Sequence, residues 1–89
     1  MKVYIIQVEF DAGNGNESAI LDATLSKDMA KQLFQKRIKE YIDYWYNQEL
    51  IDDDFVLKSI SQENKHYTTI TYEGEIYYQN ISIITKELV

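Results

Sequence analysis

One stretch of this chain has the periodicity of a long α-helix, and that helix limits what the remainder can become. Between residues 27 and 47 apolar side chains recur every three or four positions, with no glycine or proline among them. Ser26 stands where an N-cap hydroxyl accepts from a free backbone amide, and Asp28 suits the positive end of the helix dipole. Such a helix must cover an apolar surface. Its apolar stripe consists of Ala30, Leu33, Phe34, Ile38, Tyr41 and Trp45.

The segments on both sides of this helix have the alternation and the bounding turn residues of β-strands. Asn14-Gly15 predicts a tight turn between the first two strands, because both residues tolerate positive φ. The order ββαβββ predicts an α+β fold: one antiparallel sheet packed on one long amphipathic helix, in a single domain covering residues 1–89. The expected strands are 2–10 and 17–25 before the helix and 55–62, 66–73 and 75–86 after it.

The two faces of this sheet should differ in character. Tyr4, Ile6, Val8 and Phe10 form an unbroken apolar face on the first strand, and we expect that face to meet the helix. A single helix leaves the other face open to water or to another chain. The residues expected on this other face are Tyr67, Thr69, Thr71, Tyr77 and Gln79.

Charge is divided unevenly along the chain. Residues 27–39 carry five basic side chains and one acidic one, whereas residues 40–57 carry six acidic side chains and no basic one. Two poles of opposite sign favour oriented encounters with a charged partner. The net charge of −6 disfavours direct binding to nucleic acid or to an anionic membrane surface. Lys31, Lys36 and Lys39 therefore predict a solvated helix face more readily than a row of phosphate contacts.

The composition also removes several classes of site. Cysteine is absent, which excludes disulfides, thiolate catalysis and cysteine-ligated metal sites. No apolar run approaches the roughly 20 residues of a membrane helix. The apolar run at the N-terminus is too short for a signal peptide. We therefore expect a cytoplasmic protein that needs no cofactor.

Few residues suggest catalysis. His66, the single histidine, stands at the start of a polar strand, which predicts an exposed turn residue and not a general base. No serine has the glycine-framed elbow of a hydrolase. Glu49, Asp52, Asp53 and Asp54 lack the ligand alternation and bend glycine of a calcium loop, which favours a solvated acidic segment over a metal site. The chain is expected not to be an enzyme.

Aromatic residues crowd the end of the helix, next to the acidic segment. Tyr44 and Tyr46 lie at opposite edges of the apolar stripe and are harder to bury than Tyr41 or Trp45. Tyrosine and tryptophan dominate binding hot spots, and acidic side chains attract a basic surface. The residues expected to bind a partner are Tyr44, Tyr46, Glu49, Asp52, Asp53 and Asp54.

About a quarter of the chain, near its N-terminus, carries a resemblance to known proteins. Lys2-Val3-Tyr4-Ile5-Ile6, a hairpin, and then Ser26-Lys27-Asp28-Met29-Ala30-Lys31-Gln32-Leu33 resemble small uncharacterised proteins of phages and bacterial mobile elements. Those proteins begin with a similar strand and enter a helix through a Ser-x-x-x-Ala pattern. The resemblance supplies no catalytic residues. It implies a setting in which small acidic proteins often inhibit host defence systems, CRISPR nucleases among them, sometimes by occupying a nucleic-acid site.

Two hypotheses of different kinds follow. The first is a non-enzymatic, anti-CRISPR-like or immunity-type inhibitor from a mobile element. Its acidic segment would engage a basic surface on a host protein, for which a nucleic-acid-binding protein is one candidate. The second is a self-associating structural or accessory module, such as a homodimer. It would pair through the open sheet face, or through strand 75–86 if that strand lies at an edge.

Overall fold

The computed structural model describes residues 1–11, 16–47, 56–72 and 74–88, except for the side chains at 46, 47 and 72. The predicted order of elements is confirmed, and no strand boundary differs by more than one residue from the prediction. The α+β class is confirmed with it. The elements are β1 (Lys2–Asp11), β2 (Asn16–Thr24), α1 (Lys27–Asn47), β3 (Val56–Ser61), β4 (Lys65–Tyr72) and β5 (Glu75–Glu87).

The five described strands form one antiparallel sheet in the order β2-β1-β5-β4-β3. β1 and β5 are the longest strands, and they pair from Lys2 opposite Glu87 to Phe10 opposite Gln79. Their long apolar stretches are best buried in the middle of a sheet. β5 is therefore an interior strand, and the expectation that strand 75–86 could pair with another chain at an edge is wrong. The edges are β2 and β3.

The helix begins and packs as its pattern predicts. The hydroxyl of Ser26 accepts from the amide of Met29 at 3.2 Å, which confirms the N-cap. α1 then runs alongside β1, with Ala30 near Tyr4 at one end and Tyr41 near Phe10 at the other. It packs on β1, β2 and β5. The buried core joins Ile6, Val8 and Ile81 of the sheet to Ala30, Phe34 and Ile38 of the helix.

β2 departs from the simple alternation expected of residues 17–25. Ile6 lies opposite Asp22, whereas the next residue, Gln7, lies opposite Ile20, so Leu21 is an extra residue in the ladder. This β-bulge reverses the faces of β2 from that point on. It turns Asp22 towards the helix, where the carboxylate meets Arg37.

The strand register assigns residues to the two faces of the sheet, since paired residues share a face and neighbours along a strand alternate. Tyr77 pairs with Ile70 and Gln79 pairs with Thr68, and both pairs lie on the helix side with Ile81. The prediction that Tyr77 and Gln79 occupy the other face is therefore wrong. Tyr67, Thr69 and Thr71 do lie away from the helix, as predicted. We call this side of the sheet the open face.

No helix in the described part of the chain combines the length and the apolar character needed to cross a membrane.

Candidate functional site

An aromatic cleft opens between the last turns of α1 and the sheet. Its volume is about 180 Å³. The helix supplies Tyr41, Tyr44 and Trp45, because positions 41 and 45 continue the apolar stripe beyond the tightly packed part of the core. The sheet supplies side chains from β1, β4 and β5, which topology brings together from distant parts of the sequence. The remaining lining residues are Phe10, Asp11, Ile70, Tyr77, Tyr78 and Gln79.

Tyr44 is the most exposed aromatic side chain of the cleft, with 57% of its surface accessible. Its ring meets that of Trp45 edge to face, with centroids 5.6 Å apart and planes at 84°. This geometry suits the ring quadrupoles and holds an exposed side chain in one orientation. Tyr44 is therefore both accessible and positioned, as an anchor residue must be.

A hydrogen bond restrains the opposite wall of the cleft. The Tyr77 hydroxyl donates to Glu75 Oε2 at 2.6 Å, which is a short, charge-assisted bond. The two residues lie two positions apart on β5 and so share a face of the sheet. This bond orients the Tyr77 ring and leaves a carboxylate beside the aromatic surface.

Acidic side chains gather at this end of the molecule. Asp11 is the single charged residue among the described residues that line the cleft. β1 ends where β2 and β5 begin, and α1 ends beside them, so charges from four elements converge. α1 has no basic residue in its last turn. We call this region the acidic end, defined by Glu9, Asp11, Glu17, Asp43 and Glu75.

The other end of the molecule has the opposite balance. Lys2, Lys27 and Lys31 line one cavity there, together with Glu63. Lys86 pairs with Val3 on the neighbouring strand, beside the N-terminal amine, and Glu87 adds an acid to this end. We call this region the basic end, defined by Lys2, Lys27, Lys31 and Lys86.

The helix dipole has the same sense as the side-chain charges. The N-terminus of α1, its positive end, lies at the basic end, and its C-terminus lies at the acidic end. In the first turn Lys27 opposes this dipole and Asp28 favours it, each by about 0.3–1 kcal/mol. Among the described residues, the charges of the basic end and the acidic end thus form a dipole in the direction of α1.

Only part of the predicted partner-binding set can be placed. Tyr44 is exposed, as predicted, and it lines the aromatic cleft beside the acidic end. The side chain of Tyr46 lies outside the described residues, and so do Glu49 and residues 52–54. Sequence reasoning missed Phe10 and Tyr77 as neighbours of Tyr44, because the strand register that brings them there is not local. The alternation of β1 already placed Phe10 on the helix side, which was the one available signal.

Arg37 fixes the helix to the edge of the sheet next to this site. Its guanidinium binds Asp22 in a bidentate manner, with Nε to Oδ2 at 2.8 Å and Nη2 to Oδ1 at 3.2 Å. Nη1 donates to Glu40 at 3.1 Å. The hydrogen bond from Arg37 lowers the pKa of Asp22, and the reciprocal bond raises the pKa of Arg37. Since two carboxylates neutralise Arg37, it adds little positive potential to the hollow it shares with Tyr44.

The prediction that His66 is an exposed turn residue is wrong. His66 is 5% accessible, because its register opposite Ile81 places it on the helix side of the sheet. Burial lowers the pKa of its imidazole. Nδ1 lies 2.6 Å from the hydroxyl of Ser61, its neighbour across β3 and β4.

Ser61 and His66 superficially resemble a nucleophile–base pair. A hydrolytic triad needs a third group that orients the base. Among the described residues, Nε2 of His66 has no hydrogen-bond partner to play that role. The contact instead joins two strands within one hairpin.

The described residues contain no group of three His, Asp or Glu side chains arranged to hold a metal ion. Glu49 and residues 52–54 of the acidic segment lie outside the described residues.

No protein-family model, no curated protein and no solved structure matches this chain.

Proposed function

We propose that this chain is a non-enzymatic binding protein that docks its acidic end, through the aromatic cleft, on a basic surface of another protein. The observation that supports this proposal is the exposed Tyr44 ring at the mouth of a cleft whose one described charged lining residue is Asp11. Tyrosine and tryptophan at the centre of an interface dominate its binding energy.

The size of the cleft favours a protein partner over a small molecule. Its volume of about 180 Å³ is below the roughly 300–1,000 Å³ of typical ligand pockets. It suits one inserted side chain. Arginine or lysine has the matching chemistry, because the cation can stack on the rings of Tyr44 or Trp45 while Asp11 supplies the opposite charge.

The dipole of the molecule gives the encounter a direction. A basic surface is attracted to the acidic end and repelled by the basic end, so the aromatic cleft meets the partner first. The predicted residues Glu49, Asp52, Asp53 and Asp54 follow Tyr44 closely in the sequence and extend the acidic surface in this proposal. Such an arrangement raises the association rate and makes it sensitive to salt.

In its more specific form, the proposal is that the chain inhibits a host protein as a phage or mobile-element factor. This form rests on the resemblance of residues 2–6 and 26–33 and on the acidic surface. A nucleic-acid-binding target is the favoured class, since its basic groove has the charge that the acidic end would attract.

Affinity capture from a nuclease-treated host lysate, at about 50 mM and about 500 mM salt, tests the proposal. We expect one basic protein to be retained at low salt and released at high salt. Tyr44→Ala should weaken binding to that protein about thirty-fold or more, as for a hot-spot residue. Reversal of Asp52, Asp53 and Asp54 to lysine should abolish capture.

Matched controls separate surface chemistry from folding. Leu25→Ala removes a similarly exposed apolar side chain far from the cleft, and Glu63→Lys reverses an acid near the basic end. Both variants should retain the partner. If Tyr44→Ala and the triple reversal bind as the unmodified chain does, the acidic end is not the binding surface and the proposal fails.

A further inference from the structure

The open face of the sheet carries more apolar surface than a solvated face requires. Ile20 is 68% accessible and Ile60 65%, and Ile76 on β5 is also exposed. Their register partners place all three away from the helix: Ile20 opposite Gln7, Ile60 opposite Tyr67 and Ile76 opposite Thr71. Exposed apolar side chains that occur singly are ordinary, but a group of them on one flat face marks an interaction surface.

Further apolar groups connect these positions. Ile5 and Ile84 form a cross-strand pair on the same face, and with Ile20 they line a hollow of about 460 Å³ beside β2. Val56 and Tyr78 are exposed on the other half of the face. These apolar side chains thus lie on four of the five described strands, and β4 adds Tyr67, Thr69 and Thr71 between them.

The face is large enough for a stable dimer. At about 3.4 Å per residue and about 4.8 Å between neighbouring strands, the five described strands give this face roughly 750 Å², close to the roughly 800 Å² per partner in an interface of standard size. Two sheets that pack face to face keep their strands within about 30° of each other, so the long axes of two copies would be nearly aligned.

Charge at the two ends of the face favours a second copy in one orientation, since Lys86 lies at one end and Glu9 and Asp11 at the other. Lys58 and Lys65 also lie on this face. With aligned axes, two copies can lie with like ends together or with opposite ends together. A twofold axis across the strands brings Lys86 of one copy towards the end of the other that carries Glu9 and Asp11. The reverse arrangement would place the two acidic ends side by side and cost electrostatic energy.

We propose that the open face of the sheet binds a second copy of this chain with the strands antiparallel. The acidic end of each copy then lies over the basic end of the other. The face becomes the centre of a four-layer, helix–sheet–sheet–helix dimer. β2 and β3 stay at the edges, and the aromatic cleft stays on the outside.

Sedimentation equilibrium on the full chain, from about 1 µM to 1 mM, tests the association. We expect a reversible dimer. Ile76→Lys should raise its dissociation constant at least about thirty-fold, because the charge would be buried without a partner. The control Met29→Lys, at an exposed apolar position on the helix, should leave the constant unchanged.

Ile76 also distinguishes a face-to-face dimer from an edge-paired one. It lies on the interior strand β5, so pairing through the β2 or β3 edge would tolerate the substitution. A dimer that survives Ile76→Lys, or a chain that stays monomeric at 1 mM, overturns the proposal. Circular dichroism of each variant shows whether the fold persists, and Ile60→Lys provides a second exposed position if Ile76→Lys does not fold.

Cross-linking determines the orientation, and the absence of native cysteine makes it unambiguous. We expect a short bis-maleimide to join Lys86→Cys chains to Ile76→Cys chains in a mixture and to join neither variant to itself. Ser82→Cys, near the middle of the face, should link to itself. Self-linking of Lys86→Cys together with self-linking of Ile76→Cys would overturn the antiparallel arrangement.

The dimer surface and the aromatic cleft share Asp11 and Tyr78 at their border, but Tyr44 lies on α1 and Ile76 on the open face, so these two residues test the two proposals separately. Tyr44→Ala should leave the dimer intact, and Met29→Lys should affect neither surface. Each proposal can therefore fail while the other stands.

Discussion

The two faces of the sheet carry the same residue type in opposite environments. Ile6 and Ile81 on the helix side are almost wholly buried, whereas Ile20 and Ile60 on the open face are about two-thirds accessible. Alternation along a strand separates these sets, and one helix can cover just one of them. The helix side is explained by the fold of one chain. The fold of one chain does not explain the apolar residues of the open face, so they require a second explanation.

The largest expected effect comes from truncating one isoleucine on each face. Ile6→Ala should lower the free energy of unfolding by about 2–5 kcal/mol, because it removes transfer energy and leaves a cavity beside Phe34. Ile60→Ala should cost less than about 1 kcal/mol in dilute monomer, where the side chain is already in water. Urea unfolding at a few micromolar measures both.

The comparison of Ile6→Ala with Ile60→Ala can be repeated at several protein concentrations. At protein concentrations that favour the dimer, Ile60→Ala should lose stability relative to the unmodified chain, whereas the deficit of Ile6→Ala should stay constant. Equal losses for the two variants at every concentration would mean that the faces do not differ as described.

A smaller effect is expected where Arg37 ties the helix to the sheet. Arg37→Ala should destabilise the chain by about 1–3 kcal/mol, since the half-buried carboxylate of Asp22 loses two charge-assisted hydrogen bonds. Arg37→Lys keeps the positive charge but cannot bind the carboxylate in a bidentate manner, so it should recover part of the lost free energy of unfolding. A double-mutant cycle with Asp22→Asn measures the pairwise energy, and a value near zero would contradict this account.

Asp22 also makes the free energy of unfolding depend on pH, and the direction of that dependence follows from its pKa. The pKa of Asp22 is lowered in the folded chain, so the stabilisation of the fold by its ionised carboxylate is fully present above the unfolded pKa of about 3.9. That stabilisation is lost as the pH falls through the pKa that Asp22 has in the folded chain. Unfolding curves between about pH 5 and pH 2 should therefore fall less steeply for Asp22→Asn than for the unmodified chain.

His66 predicts a weaker dependence at higher pH. Its pKa is lowered by burial, so the unfolded chain takes up protons below about pH 6.5 before the folded chain does. The free energy of unfolding is therefore not reduced by His66 above that pH, and it declines as the pH falls towards the pKa that His66 has in the folded chain. Because the chain has one histidine, His66→Leu should flatten this part of the profile. An unchanged slope would assign the dependence to other groups.

The sequence predicted those parts of the fold that local patterns decide. The apolar stripe of α1 and the hydroxyl of Ser26 specify the helix and its start, and the turn at Gly74, with φ of 80°, needs no information from elsewhere. Fold class followed from the order of elements. At the candidate site, the sequence predicted the exposure of Tyr44, because that residue stands beside the apolar stripe of α1.

The failures share one cause, which is that strand register and strand order are set by distant parts of the chain. His66 and Tyr77 were assigned to the wrong environments because their faces depend on pairing with Ile81 and Ile70. β5 contains Tyr77 and Tyr78 in succession, so side-chain character alone does not give its phase. The bulge at Leu21 is likewise visible just in the pairing of β1 with β2.

The smallest stability effect is expected at Tyr44, which belongs to neither face of the sheet. Tyr44→Ala removes an exposed ring and one edge-to-face contact with Trp45, which together are worth about 0.5–1.5 kcal/mol at most. Trp45 is the single tryptophan, so its emission reports on this cleft alone and should shift when the neighbouring ring is lost. Unfolding followed by that emission should give a free energy close to that of the unmodified chain, in contrast to Ile6→Ala. If Tyr44→Ala destabilised the chain as much as a core truncation, Tyr44 would be a structural residue, and loss of binding in that variant would no longer identify a contact surface.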